Sequence, residues 1–190
     1  MSIEVKPLAP ARVPDAEKVF SSGAATAGCY CMWFIIPVTQ YHAGGRPENR
    51  QRFLQLVTDS PTPIGLLAYE GGEPIGWCAT GPRSRYVRAV RVPSFKGRDP
   101  SEDDDVWLVP CFYVHSRMRR KGVSRALLEG AVELAGTHGA SAIEGFPFEA
   151  GAKLTRESMV GVESVFASCG FEVVRRPSGA RVVMRRQLGR

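Results

Sequence analysis

The stretch from Arg117 to Gly122 combines residue types that could bind an anion. Four of its residues are cations, and no Asp or Glu lies nearby to balance them: Arg117, Arg119, Arg120 and Lys121. A helix is predicted to begin directly after Gly122, so the cations lie at the helix end whose unpaired N–H groups are already positive. The glycine allows close approach of a ligand to the backbone. This pattern predicts a site for phosphate or pyrophosphate.

The segments on either side of this turn are predicted to be a buried strand and a core-facing helix. Residues 106–114 are apolar almost throughout, which is typical of a strand covered on both faces. Pro110 has no N–H for the ladder, so inside such a strand it predicts a β-bulge. Apolar residues then recur at helical spacing as far as Ala135, and Gly139 is the predicted stop. An isolated basic turn would usually be a solvated surface, but these flanking elements favour a phosphate site.

Residues 114–124, with the sequence VHSRMRRKGVS, resemble the acetyl-CoA signature of the GNAT N-acetyltransferase superfamily. The signature is Arg or Gln, two residues, Gly, one residue, then Gly or Ala. Arg119, Gly122 and Ser124 take the three marked positions, although Ser124 departs from the usual Gly or Ala. The resemblance implies that the amides of residues 119–124 bind the pyrophosphate of acetyl-CoA, and that backbone groups of Phe112 and Val114 pair with its pantetheine arm.

A second resemblance covers residues 166–171, with the sequence FASCGF, where the family ends a helix at Gly-Phe. The family's usual tyrosine at this position is Phe166 here, and a phenyl ring cannot donate a proton. We expect Phe166 to lie at the coenzyme all the same. The residues expected to bind the coenzyme are therefore Phe112, Val114, Arg119, Arg120, Lys121, Gly122, Val123, Ser124 and Phe166.

The resemblance implies a GNAT fold of mixed α/β class, with a central, mostly antiparallel twisted sheet flanked by helices and a bulged, splayed fourth strand. The sequence pattern agrees with this order of elements. Strands are predicted at residues 3–8, 64–69, 74–80, 106–114, 141–147, 171–175 and 180–187, and helices at 15–20, 48–57, 123–138 and 160–168. Residues 41–47 are predicted to form a turn. The length and composition fit one domain over residues 1–190.

Transfer of an acetyl group from a thioester to an amine requires a neutral amine and a proton for the leaving thiolate. Glu144 and Glu149 flank the end of the predicted fifth strand and are candidates for the general base. Tyr113 and Tyr30 are the candidates for the acid. Each of these residues also has a structural interpretation, as a surface carboxylate or a packing aromatic.

Two further segments bear on the acceptor, and each has two interpretations. The cluster Cys29–Phe34, with the sequence CYCMWF, either belongs to the core or forms a wall of the acceptor pocket. The acidic residues 102–105 either form a solvated loop or attract a cationic amine. The paired cysteines Cys29 and Cys31 have no second ligand pair nearby, so no metal site is expected.

The sequence as a whole favours an acetyl-CoA-dependent N-acetyltransferase acting by direct attack of a primary amine of a small molecule. The alternatives are acetylation of a protein lysine or N-terminus, a non-catalytic acyl-CoA-binding regulator, or a basic nucleic-acid-binding domain. The net charge of +6 would suit nucleic acid, but no aromatic and basic motif joins the cations, so we expect no nucleic-acid partner.

The sequence also gives expectations for the location and the assembly of the protein. No charged and apolar leader or membrane-length apolar run occurs, and the cysteine number is odd, which favours a reducing, cytoplasmic location without membrane association. Homodimers are common in the family, so the resemblance allows a homodimer.

Overall fold

The computed structural model describes residues 2–23, 26–152, 159–177 and 180–189. Its centre is a seven-stranded sheet of order β1-β2-β3-β4-β5-β7-β6, in which only β4 and β5 pair in parallel. The strands are β1 Ile3–Pro7, β2 Gly65–Glu70, β3 Glu73–Pro82, β4 Val106–Val114, β5 Ala142–Gly145, β6 Glu172–Arg175 and β7 Val183–Gln187. The predicted mixed α/β fold with a mostly antiparallel sheet is confirmed. The single domain over residues 1–190 stays a prediction.

Four α-helices flank the sheet: α1 Val13–Ser21, α2 Val38–Asp59, α3 Val123–Thr137 and α4 Glu163–Ser168. Helix α2 begins ten residues earlier than predicted. Its first part occupies the segment predicted as a turn, and Gly45, with φ 58° and ψ −161°, separates it from the second part. Pro47 is tolerated because it lies in the first turn after this break, where its missing N–H would have no acceptor. No helix of the described residues is long and apolar enough to cross a membrane.

The bulge predicted in β4 is present at Pro110. Thr80 of β3 faces both Val109 and Pro110, between regular pairs on either side. Pairing of β4 with β5 also ends here, because the last pair joins Val109 to Gly145 while β4 continues to Val114. One edge of β4 beyond the bulge therefore has no neighbouring strand among the residues that the structure describes.

The extra residue of the bulge changes which side chains face which layer. Before it, Trp107 and Val109 pack in the cluster with α3; after it, Phe112 packs there instead. Cys111 and Tyr113 consequently face the opposite layer, which contains α1 and α2. The bulge thus turns Cys111 toward the side of the sheet where the cavity described below lies.

An arginine cluster holds the loop between β3 and β4 against β5 and β7. Arg83 is 1% exposed, and its Nη1 and Nε donate to Glu144 at 2.9 Å and to Asp103 at 2.6 Å. Arg185 of β7 pairs with Glu102 at 2.9 Å. Of the two interpretations of residues 102–105, neither holds for Glu102 and Asp103, because both carboxylates are bound to arginines.

Removing the central cation of this cluster should destabilise the fold. In Arg83→Met, two carboxylates lose their buried partner, so we expect the free energy of unfolding to fall by about 3–5 kcal/mol. Arg125→Met is the control, since it removes only an exposed pair within a helix and should change stability by less than about 0.5 kcal/mol. Urea unfolding of the two variants measures both values, and equal losses would contradict a structural role for the cluster.

The cluster also predicts a dependence of stability on pH. Burial would raise the pKa of Asp103, but hydrogen bonds from Arg98 and Arg83 outweigh it and lower the pKa below the ordinary value of 3.8. Because the folded pKa is the lower one, the carboxylate stabilises the protein above pH ~4, and this contribution disappears as pH falls through the folded pKa. The stability difference between wild type and Asp103→Asn should therefore be smaller at about pH 3 than at about pH 6. A constant difference in thermal unfolding would contradict the paired geometry.

Candidate active site

The turn between β4 and α3 has the backbone of an anion site. The chain leaves β4 through a short 3-10 turn, and Arg120 and Gly122 then adopt positive φ of 61° and 82°. The first helical bond runs from the Ala126 N–H to the Gly122 carbonyl, and the N–H groups of residues 120–125 have no backbone acceptor among the described residues. A Cβ at Gly122 would meet no atom within 4 Å, so this side of the turn is open. The open N–H groups can donate to a bound anion.

The cations predicted at this turn surround those N–H groups. Arg117, Arg119, Arg120 and Lys121 are all exposed. The next acidic residue along the chain, Glu129, is paired with Arg125 at 2.9 Å and leaves these four without a neighbouring carboxylate on the helix. The turn thus combines backbone donors, a helix N-terminus and free cations, which is the donor set that pyrophosphate requires.

The edge of β4 beyond the bulge leads from this turn to the sheet interior. The Phe112 N–H points to that edge, and Val114 faces the same way because hydrogen-bonding directions alternate along a strand. The Phe112 N–H, however, donates to the Met159 carbonyl. The expected pairing of Phe112 with a pantetheine arm stays a prediction, and pairing through its N–H requires that this bond be broken first.

A cavity of about 650 Å³ adjoins β4 just past the bulge. Cys111 lies in its wall, together with Phe146 and Met159. From the cluster Cys29–Phe34, the cavity is lined by Cys29, Cys31, Trp33 and Phe34, whereas Tyr30 and Met32 are 4% and 1% exposed in the core. Both interpretations of this cluster therefore hold, each for a different set of its residues.

The polar groups of the cavity were not identified from the sequence. Tyr41, Arg88 and Arg181 line it. Tyr41 lies in the segment predicted as a turn, and the two arginines lie in irregular segments, so neither periodicity nor a motif singled them out. Burial raises the pKa of Tyr41 well above its ordinary value, which keeps the phenol protonated.

Comparison with known proteins identifies the family. A model of the acetyltransferase (GNAT) family matches residues 31–151. The chain belongs to the GNAT acetyltransferase family. It is accordingly an acyltransferase that uses acetyl-CoA, and the coenzyme predicted from the basic turn is confirmed. None of the curated protein sequences compared with the chain matches it significantly.

Solved structures share the GNAT fold at low sequence identity. A PaiA N-acetyltransferase from Thermoplasma acidophilum, solved with coenzyme A, has a TM-score of 0.56 and 15% identity over 98% of this chain and 99% of that chain. YncA from Salmonella typhimurium, solved with acetyl-CoA, has a TM-score of 0.57 and 15% identity over 100% and 95%. A ribosomal-protein-alanine N-acetyltransferase from Brucella melitensis has a TM-score of 0.57 and 19% identity over 97% and 99%.

Within the GNAT fold of this chain, Phe166 lies in the core. It is fully buried, and its ring packs against Phe112 and Phe171 at centroid distances of 5.9 and 5.0 Å. A Cβ on Gly145 would collide with this ring, so the glycine is required for the packing. This geometry argues against Phe166 as a coenzyme contact and assigns it a structural role beneath the splayed strands.

The two carboxylates predicted as bases lie in different surroundings. Glu144 is 3% exposed, and its two oxygens accept from Arg83 at 2.9 Å and from Arg185 at 3.4 Å. Both carboxylate oxygens are therefore engaged by guanidinium groups and lie outside the wall of the cavity described above, so the geometry argues against Glu144 as the base. Glu149 is partly exposed and lies 3.9 Å from Arg176. Neither residue is in the wall of the cavity.

The predicted acid, Tyr113, lies on β4 with its hydroxyl 2.9 Å from the Ser22 hydroxyl. Its side chain faces the same layer as Cys111, but it is not in the cavity wall. Two thiols of the cavity are held protonated as well: a hydrogen bond with Cys111 and burial raise the pKa of Cys31, and burial raises the pKa of Cys29. Since a thiol is the weaker nucleophile, an acyl-cysteine route through them is disfavoured.

Closing the open face of the turn should abolish coenzyme binding. In Gly122→Asp, a carboxylate is added where the pyrophosphate is expected, so affinity for acetyl-CoA should fall at least about tenfold. Gly72→Asp is a matched control, because Gly72 also has positive φ, 85°, and nothing within 4 Å of its Cβ, but lies in the β2–β3 hairpin. Calorimetric titration gives both affinities, and unchanged binding by Gly122→Asp would contradict the assignment of the turn.

Proposed function

We propose that this GNAT enzyme acetylates the primary amine of a small molecule, which enters the cavity beside β4 while acetyl-CoA is held at the turn before α3. The cavity is the observation that carries the proposal. Its volume of about 650 Å³ lies within the range of roughly 300–1,000 Å³ that is usual for small-ligand pockets. An enzyme that acts on a protein substrate would instead be expected to have a long open groove.

The coenzyme-binding part of the proposal uses the residues predicted from the signature, except Phe166. The amides around Gly122 would hold the pyrophosphate, aided by the cations of the turn. Val114 and, after release of Met159, Phe112 would hold the pantetheine arm along the β4 edge. Val123 is buried and Ser124 half-buried, so these two contribute their backbone N–H groups at the first turn of α3.

Acetyl-CoA supplies the acetyl group as an activated thioester. The amine nitrogen attacks the thioester carbonyl, the C–N bond forms and the C–S bond breaks; the amine loses a proton and the leaving sulfur gains one. No bond to the protein is required. The protein must therefore orient the two reactants, take up one proton and donate another.

For the proton donor we favour Tyr41 over the predicted Tyr113. Tyr41 lines the cavity and its phenol stays protonated, whereas the Tyr113 hydroxyl is bonded to Ser22 outside the cavity wall. For the base, Glu149 remains the proposal because it is solvent-accessible and close to the end of β5, where ordered water could relay the proton. Glu144 is not retained.

Two further predictions remain proposals. We also propose a cytoplasmic location, which localisation in the cell would test, and a homodimer, which the mass of the protein in solution would test. The alternatives of protein acetylation and of a non-catalytic regulator are outcomes of the test below.

The proposal predicts thiol release that depends on a small amine. The purified protein with acetyl-CoA and a panel of small amines should release coenzyme A and form the N-acetylated amine, detected by mass spectrometry. Gly122→Asp should lose this activity, and Gly72→Asp should keep it. Thiol release with peptides only would favour protein acetylation, and coenzyme binding without release for any amine would favour a regulator.

The same assay separates the proton donors. Tyr41→Phe should lower kcat by about 100-fold or more, because a positioned acid contributes 10²–10⁴ in rate, with little change in acetyl-CoA binding. Tyr113→Phe is the matched variant and should leave kcat within a few fold. The reverse order of effects would return the role to Tyr113.

A further inference from the structure

The cavity beside β4 is cationic on its polar side. Its described lining includes Arg88 and Arg181 but no Asp or Glu. Arg83, Arg98 and Arg185 of the cluster described above have carboxylate partners, whereas the half-buried Arg85 is bound by carbonyl and hydroxyl oxygens. No ion pair joins Arg88 or Arg181 to a described carboxylate. A partly desolvated guanidinium without a counter-ion is unfavourable, so an anionic ligand group would be stabilised here.

Arg181 is held in place by Phe148 and by Phe146 of the cavity wall. Its guanidinium carbon lies 3.9 Å from the centroid of the Phe148 ring, and its Nη1 donates to the Phe146 carbonyl at 3.2 Å. Burial lowers the pKa of Arg181 from its ordinary value, although the group stays charged at neutral pH. Stacking fixes the plane of the guanidinium, and most of its N–H groups are left for a ligand.

Arg88 is also held by an aromatic residue, Trp33 of the cavity wall. Its guanidinium carbon lies 3.5 Å from the centroid of Trp33, and its Nη1 donates to the Trp33 carbonyl at 2.9 Å. Its backbone N–H also donates to the Phe34 carbonyl at 3.1 Å. Both arginines are therefore positioned before any ligand binds, which lowers the entropy lost on binding.

The anion that these arginines would bind is not the coenzyme pyrophosphate. The cavity meets β4 at Cys111, in the layer of α1 and α2, whereas the basic turn leads into α3 in the opposite layer. The two cationic sites are thus separated by the sheet. The site in the cavity is therefore open to the acceptor.

We infer that the acceptor is an amino carboxylate with an apolar or aromatic body, such as a small apolar amino acid, whose carboxylate binds Arg88 and Arg181. This inference rests on the proposed function, because it names the acceptor of the same reaction. A guanidinium binds a carboxylate through two parallel hydrogen bonds, and the aromatic and thiol wall would contact the apolar body. The amine would then face Cys111 and the bulge, where the thioester is expected.

The test compares ligands that differ only in the carboxylate. N-acetylphenylalanine, the corresponding product, and N-acetylphenylalaninamide are titrated into the full chain in the presence of coenzyme A, with the leucine and tryptophan pairs alongside. Thiol release is measured with phenylalanine, phenylalaninamide and phenethylamine. The variants are Arg88→Gln and Arg181→Gln, with Arg91→Gln as the control, because Arg91 is exposed and outside the cavity wall.

We expect at least one acid to bind about tenfold or more tightly than its amide, and this preference to disappear in Arg88→Gln and Arg181→Gln but not in Arg91→Gln. Equal binding of acid and amide in all three pairs would overturn the inference, and this comparison needs no variant to fold. Thiol release only with amines that lack a carboxylate would also overturn it while leaving the proposed function intact. Selective binding of the acids without thiol release for any amine would support the anion site and reject the enzymatic proposal.

Discussion

The structure depends on one irregularity, the bulge at Val109 and Pro110 of β4. A proline there leaves no N–H for the ladder, and the extra residue reverses which side chains face each layer. Pairing with β5 ends at the same point, so β4 acquires an edge inside the protein that no described strand pairs with, although the Phe112 N–H there is bonded to the Met159 carbonyl. Such an edge can bind an extended coenzyme arm as an added strand would, which is why the bulge, the cavity and the basic turn all lie along β4.

Charge in this chain is separated into three environments with different roles. The basic turn before α3 is exposed, and the first turn of α3 has no acidic residue, so the basic turn suits a mobile polyanionic coenzyme. The cluster around Arg83 has a buried centre, Arg83 and Glu144, whose charges are paired, and it fixes the β3–β4 loop against β5 and β7. The cavity arginines are intermediate, since aromatic rings hold them but no carboxylate of the described residues pairs with them.

Local features of the sequence were sufficient to predict the basic turn and the bulge. Gly122 after a run of cations, and Pro110 inside an apolar strand, each restrict the backbone by their own chemistry, and the structure has both features where they were predicted. The predicted start of α2 was wrong because residues 38–47 have no apolar periodicity and contain two glycines. Contacts between distant segments could not be predicted from the sequence, because neither the bond from Phe112 to Met159 nor the pairing of Glu144 with Arg83 leaves a local pattern.

The most direct test of the central claim is a crystal structure of the chain with acetyl-CoA. The account predicts pyrophosphate oxygens within hydrogen-bond distance of the N–H groups of residues 120–125. It also predicts the pantetheine arm beside Val114, the bond between Phe112 and Met159 broken, and the thioester facing the cavity at Cys111. Coenzyme bound away from this turn, with the edge of β4 still covered by Met159, would contradict it.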